Sequence, residues 1–250
     1  MRFININTGI LLTALVLAGG AASAQTADEI VEKSLAAIGG RAALTKVKTQ
    51  SLTGTMTVST PGGDLPGTIE SVQQAPNKMR RLITLDLSAF GAGTATIDTR
   101  FDGTTGYTLD SMRGDMPMSE SQSELQRNAT FPSPFLDYKE RGTKITLAGK
   151  EKVGEHDGFA LVVTPVKGPV SRVVVDGESY LPVRATITVD IPDLGPVEQT
   201  TEFSDFRDVN GVKVPFKIKG TSSVQTFLIT VSKIEHNVEV DQALFSKPGK

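Results

Sequence analysis

The chain has 250 residues, a formal net charge of -2, no cysteine or tryptophan, and only 6% aromatic side chains. The near-neutral balance excludes nucleic-acid binding through a basic face. The missing cysteines exclude disulfide staples and the lipidated cysteine of a lipoprotein, and the missing tryptophan leaves mainly aliphatic side chains to line any pocket.

The first residues are Met1-Arg2-Phe3, followed by an apolar run from Ile10 to Ala18 and by Ala22-Ser23-Ala24 before Gln25. One positive charge, a short apolar stretch and small residues three and one before the cut are what a signal peptidase reads, so residues 1–24 are expected to be a signal peptide. The run is broken by Thr13 and ends at Gly19-Gly20, short of the roughly 20 apolar residues that a membrane anchor needs. Residues 25–250 are then expected to form a single exported domain, soluble in the periplasm, with no lipid anchor. Removing Arg2 takes its charge from -2 to -3.

The first element of that domain reads as a helix. Thr26 and Glu29 have capping-box spacing, and Ile30, Val31, Leu35 and Ile38 recur at helical intervals until Gly39-Gly40 ends the run. A second short helical turn follows from Arg41 to Val47, with Leu44 and Val47 inward.

After Lys48 the apolar period drops from about 3.6 to 2. Leu52, Met56 and Val58 alternate with Ser51, Thr53, Thr55, Thr57 and Ser59. Ile83, Leu85 and Leu87 follow the Pro76-Asn77 turn. Further on, Ala185, Ile187, Val189 and Ile191 form one alternating set, and Val212, Val214, Phe216 and Ile218 another. Such runs are strands of an antiparallel sheet with one covered and one wet face. Asp102-Gly103, Asp157-Gly158, Asp176-Gly177 and Asn210-Gly211 are expected hairpin turns. About ten or eleven strands result, too many for a flat open sheet.

One segment interrupts this rhythm. Ser119 to Asn128 is polar and rich in helix formers, with a capping box expected at Ser121 and Glu124. Phe131-Pro132-Ser133-Pro134-Phe135-Leu136 comes next. The prolines forbid a helix or a central strand there, so three large apolar side chains ride on a stiff loop and must be buried, most simply on the open side of the curved sheet.

Motifs for catalysis are missing. His156, in the Glu155–Gly158 turn, and His236, near the end of the last strand, have no partner at metal-ligand spacing. There is no G-x-S-x-G elbow. Gly91-Ala92-Gly93 lacks the third glycine of a phosphate loop, and Gly103-Thr104-Thr105-Gly106 reads as a hairpin loop. Asp205 and Asp208 offer two carboxylates where calcium takes about six oxygens, so turn chemistry accounts for them. No catalytic residue, metal or cofactor is expected. What remains is an apolar inventory that either packs solidly or encloses a cavity. The candidate lining is Leu52, Met56, Val58, Ile83, Leu85, Phe131, Phe135, Leu136, Ile187, Val189, Phe203 and Phe216.

Several segments carry a resemblance: Ala27-Asp28-Glu29-Ile30-Val31 through Ile38-Gly39-Gly40-Arg41-Ala42-Ala43-Leu44, Tyr180-Leu181-Pro182-Val183-Arg184, the run from Phe203 to Phe216, and Val240-Asp241-Gln242-Ala243-Leu244-Phe245. In this order the chain resembles outer-membrane lipoprotein-sorting proteins of the LolA/LolB-like periplasmic carrier superfamily. The resemblance implies a mainly β (α+β) fold: one strongly curved antiparallel sheet, an incomplete β-barrel whose concave face is covered by helices and a lid segment. It also implies a non-enzymatic carrier that holds lipid or lipoprotein acyl chains between sheet and lid. Phe131, Phe135 and Leu136 are the candidate lid residues. A second reading on the same fold is a periplasmic sensor or regulatory module acting through an inner- or outer-membrane protein partner.

Overall fold

The computed structural model describes residues 25–191 and 195–247; the expected signal peptide lies outside them, and so do the side chains of residues 190 and 191. Thr26 caps α1 (Ala27–Ala37) as expected: its hydroxyl accepts from Glu29 N at 3.2 Å, and the Glu29 carboxylate accepts from Thr26 N at 2.9 Å. Ile30, Val31, Leu35 and Ile38 are buried. The helix then stops where Gly39 takes a φ of +128°, and a Cβ there would lie 2.3 Å from the Gly211 carbonyl oxygen. Only glycine permits that approach. It lets Ile38 O accept from Lys213 N at 3.0 Å, tying the helix end to the sheet. The short α2 (Arg41–Leu44) follows, burying Leu44 and, just beyond it, Val47.

The strands are β1 (Thr49–Thr60), β2 (Gly63–Gln74), β3 (Lys78–Asp86), β4 (Thr94–Phe101), β5 (Gly106–Asp110) and β6 (Gly114–Pro117). After α3 (Glu120–Asn128) come β7 (Lys144–Val153), β8 (His156–Thr164), β9 (Ser171–Asp176), β10 (Pro182–Ile191), β11 (Gly195–Val209), β12 (Val212–Ser222) and β13 (Thr226–His236). These thirteen form one antiparallel sheet in the order β6-β5-β4-β3-β2-β1-β13-β12-β11-β10-β9-β8-β7. It is therefore two meanders, β1–β6 and β7–β13, joined side by side where β1 pairs with β13. The free edges β6 and β7 do not pair, so the barrel stays open. Curvature brings the wings together at α3: Arg127 Nη2 donates to Thr104 O (3.0 Å) in the β4–β5 loop, and Asn128 Nδ2 to Lys167 O (2.7 Å) in the β8–β9 loop.

The expected fold class holds, with three local differences. The strands number more than ten or eleven partly because β5 and β6 are only 5 and 4 residues long, which leaves little alternation to read. The cap of α3 is Ser119 with Gln122, not Ser121 with Glu124. Since β6 ends at Pro117, the helix begins earlier, and Glu124 instead pairs with Arg127 at 2.7 Å. The β7–β8 hairpin turns at Gly154, whose φ is +59°, so Asp157-Gly158 lies within β8 and His156 opens that strand. The other expected turns form where predicted, and Asp208 accepts from Gly211 N at 2.9 Å, which is ordinary turn chemistry.

Two apolar clusters cover the concave face. One joins α1, α2 and the Phe135–Tyr138 segment to β7–β9 and Val212. The second, around Met56, Val58, Ile69, Leu85, Phe216, Ile229 and Val231, fills the other end of the concavity. On the opposite face a 3-10 turn (Gln242–Phe245) buries Phe245 against β3 and β4. Beneath it Asp98 accepts from Arg80 and Arg100, and Arg100 also donates to Ser246 O at 3.0 Å.

Candidate functional site: a two-lobed cavity under the proline loop

Because Pro132 and Pro134 keep the loop after α3 from making a helix or strand, its polar groups find partners elsewhere. Phe131 N donates to Pro76 O at 2.7 Å, in the β2–β3 turn. The Arg141 guanidinium donates to Thr130 Oγ1 and, at 2.7 Å, to Pro134 O. Tyr138 Oη donates to Asp28 at 2.5 Å, and Lys139 Nζ sits 2.6 Å from the same carboxylate. Lys139, and then Tyr138, hold the Asp28 carboxyl below its usual range. The loop is thus pinned to α1 at one end and to the first wing at the other, with Phe135 and Leu136 buried and Phe131 half-buried.

Beneath the loop, between the two clusters, lies a cavity in two lobes. The smaller, about 240 Å³, is bordered by Ile38, Leu44, Phe135, Val173, Ala185 and Val212 among others. The larger, about 520 Å³, runs over Leu52, Ile69, Ile218, Phe227, Ile229 and Ile234. Phe131, Pro132, Pro134 and Phe203 border both, so the lobes adjoin beneath the loop. The larger lobe alone lies within the roughly 300–1,000 Å³ of small-molecule sites, and the smaller extends it.

The sequence candidates divide between cavity and packing. Phe131 and Phe203 border both lobes, Leu52 the larger and Phe135 the smaller. Met56, Val58, Leu85 and Phe216 are buried in the second cluster with Ile83 packed beside them, and Leu136 is buried in the first. Ile187 and Val189, half-buried on β10, border neither lobe. Alternation identifies which face a residue takes; it carries no information on where along that face neighbours interlock and where they leave a gap.

Polar residues of the concave face escaped the sequence reading. Gln50, Ser71, Gln73 and Arg81 border the larger lobe from the first wing, Gln199 and Thr201 from the second. Period two was the available signal, since it places Arg81 on the face of Ile83 and Leu85, and Gln50 on that of Leu52. The register confirms it, setting Arg81 opposite Ser71 on β2 and Gln50 opposite Gln73. Arg81 is an exposed residue of the concavity, and desolvation by its surroundings there pushes its pKa below the usual arginine value. His236 borders the smaller lobe, and burial pushes its pKa down. Its Nε2 meets an amide oxygen, Gln50 Oε1, at 3.1 Å, rather than a nucleophile or a carboxylate. No cluster of three histidines or acids able to hold a metal occurs among the described residues.

No protein-family model matches the sequence, and no curated protein does. Solved structures do. A LolA superfamily protein from Nitrosomonas europaea superposes with a TM-score of 0.55 at 16% identity, over 90% of this chain and 99% of the other. A DUF1329 family protein from Desulfovibrio piger gives 0.55 at 15%, over 88% and 97%. An outer-membrane lipoprotein-sorting protein domain from Vibrio parahaemolyticus gives 0.55 at 12%, over 87% and 94%. At such identities the likeness is one of architecture, and it agrees with the single open thirteen-stranded sheet: this chain has the LolA-like fold.

Proposed function

We propose that the protein is a non-enzymatic periplasmic carrier that holds the acyl chains of a lipid or lipoprotein in the cavity beneath the Phe131–Leu136 loop. The observation that carries this reading is the cavity itself, two adjoining lobes with largely aliphatic and aromatic walls, closed by a loop whose Phe131 borders both. Burying an acyl chain is worth about 0.8 kcal/mol per CH₂, so moving one through water costs on the order of 10 kcal/mol unless a protein surface replaces the membrane. The described residues contain no helix long and apolar enough to cross a membrane. The relatives in fold include a lipoprotein-sorting domain, which supports a place for this chain in outer-membrane lipoprotein sorting.

Native mass spectrometry of the protein taken from its own periplasm, followed by organic extraction, tests the reading. A stoichiometric acylated species is the expected result. A bare protein mass that persists after incubation with envelope lipids would overturn it.

A further inference from the structure

Arg81 is an anomaly in a cavity of this kind. It lies mid-strand on β3 with Ser71 and Thr99 as its cross-strand neighbours, both small and hydroxylated. It borders the larger lobe together with Leu52, Ile69 and Phe227. Among the described residues every other arginine except Arg113 has its guanidinium on a carboxylate or a carbonyl oxygen. Arg113 sits in the exposed β5–β6 turn, where water serves it. Arg81 has no such partner, and no Asp or Glu borders either lobe, while Lys213 adds a second cation to the smaller one.

Arg81 is exposed as Arg113 is, but it is exposed into the concavity, where its positive charge faces no acid and an anion can meet it. The planar guanidinium fork takes both oxygens of a carboxylate in two parallel hydrogen bonds, and one such head balances the one charge that this lobe carries.

We infer that Arg81 receives the carboxylate head of an acyl ligand whose chain lies along the apolar floor of the larger lobe. The inference rests on the hydrophobic-cargo reading above and adds a head-group rule to it. Ser71 and Gln73, on the neighbouring strand, are placed to donate to the same head.

Equilibrium binding to the delipidated protein tests it with three probes: palmitate, 1-hexadecanol of equal chain length without the charge, and lysophosphatidylglycerol. The wild type is expected to bind palmitate at least about tenfold more tightly than hexadecanol, the yield of one charge-assisted bidentate pair. Arg81→Gln is expected to remove that preference, bringing the palmitate-to-hexadecanol ratio to about one. Arg81→Lys, which keeps the charge and loses the fork, retains part of it, and Arg113→Gln leaves it whole. Equal binding of palmitate and hexadecanol by the wild type would overturn the role of Arg81 while the carrier reading stands, and this comparison needs no variant to fold. Failure to bind either overturns both. Tighter binding of lysophosphatidylglycerol than of palmitate overturns the carboxylate head.

Discussion

His236 Nε2 and Gln50 Oε1 lie 3.1 Å apart across the pairing of β1 with β13, at the edge of the smaller lobe. Burial pushes the imidazole pKa below its ordinary value, and the Val209 backbone offsets this only in part. The folded protein therefore favours neutral His236, whereas the unfolded chain titrates near 6.5. The corresponding stability is fully present above about pH 6.5 and is lost as pH falls through the lowered folded value. The melting temperature is expected to be lower at pH 5 than at pH 7.5, with a shallower slope in His236→Gln. Identical slopes for the two proteins would mean that other groups set the pH response.

The three expected lid residues divide in two by burial. Phe135 is 2% exposed and packs in the helix-side cluster, so Phe135→Ala should cost about 3–5 kcal/mol, seen as a lower urea midpoint at constant slope. Phe131 is half-buried and borders both lobes. Phe131→Ala should cost only about 1–2 kcal/mol in stability but speed release of a bound acyl probe several-fold in stopped-flow measurements. Unchanged release would remove Phe131 from the lid.

Asp98 is 8% exposed and lies between Arg80 Nη2 at 2.9 Å and Arg100 Nη2 at 2.8 Å. Burial works to raise its pKa, and the hydrogen bonds from the two arginines outweigh it, leaving the carboxyl below the usual aspartate value. Its contribution is present above about pH 3.9 and is lost as pH falls through that lowered value. Asp98→Ala strands two guanidinium groups and is expected to cost about 3 kcal/mol at pH 7. Denaturant titration at pH 7 and pH 3 checks both magnitude and sign; a loss that persists undiminished at pH 3 would mean the carboxylate charge is not its source.

Much of the architecture could be read from residue order because it is periodic. The Thr26–Glu29 cap, the burial of Ile30, Val31 and Leu35, and the turn at Asn210-Gly211 are set by side chains a few positions apart. Asp157-Gly158 misled because the same dipeptide can end a strand or occupy one: Gly158 sits where a Cβ would crowd Val153, Val174 and the Val175 carbonyl, a packing demand invisible without the neighbouring strands. The cavity was legible only as a face. Leu52 and Met56 share that face, but Leu52 borders open space while Met56 interlocks with the second cluster, and only the three-dimensional fit between wings separates them. Arg81 alternates with Ile83 and Leu85, and a pattern defined by apolar residues gives no weight to a lone cation within it.

The strand order also bears on how the cavity comes into being. Within each wing every strand pairs with its neighbour in sequence, whereas β1 and β13 meet across a separation such as the 186 residues between Gln50 and His236. Local hairpins close quickly and so remote a pairing slowly, since it carries the larger loop-closure entropy. The wings are therefore expected to form first and dock last, along an unbroken ladder except at the bulge by Gly54, where a Cβ would lie 2.5 Å from the Thr230 carbonyl oxygen. Leu52, Ile69 and Arg81 come from one wing and Phe203, Ile218 and Phe227 from the other. The larger lobe thus has no precursor in either half: it appears as the wings dock, and a chain that has not joined β1 to β13 exposes two strand edges beyond those of β6 and β7 and encloses no such space.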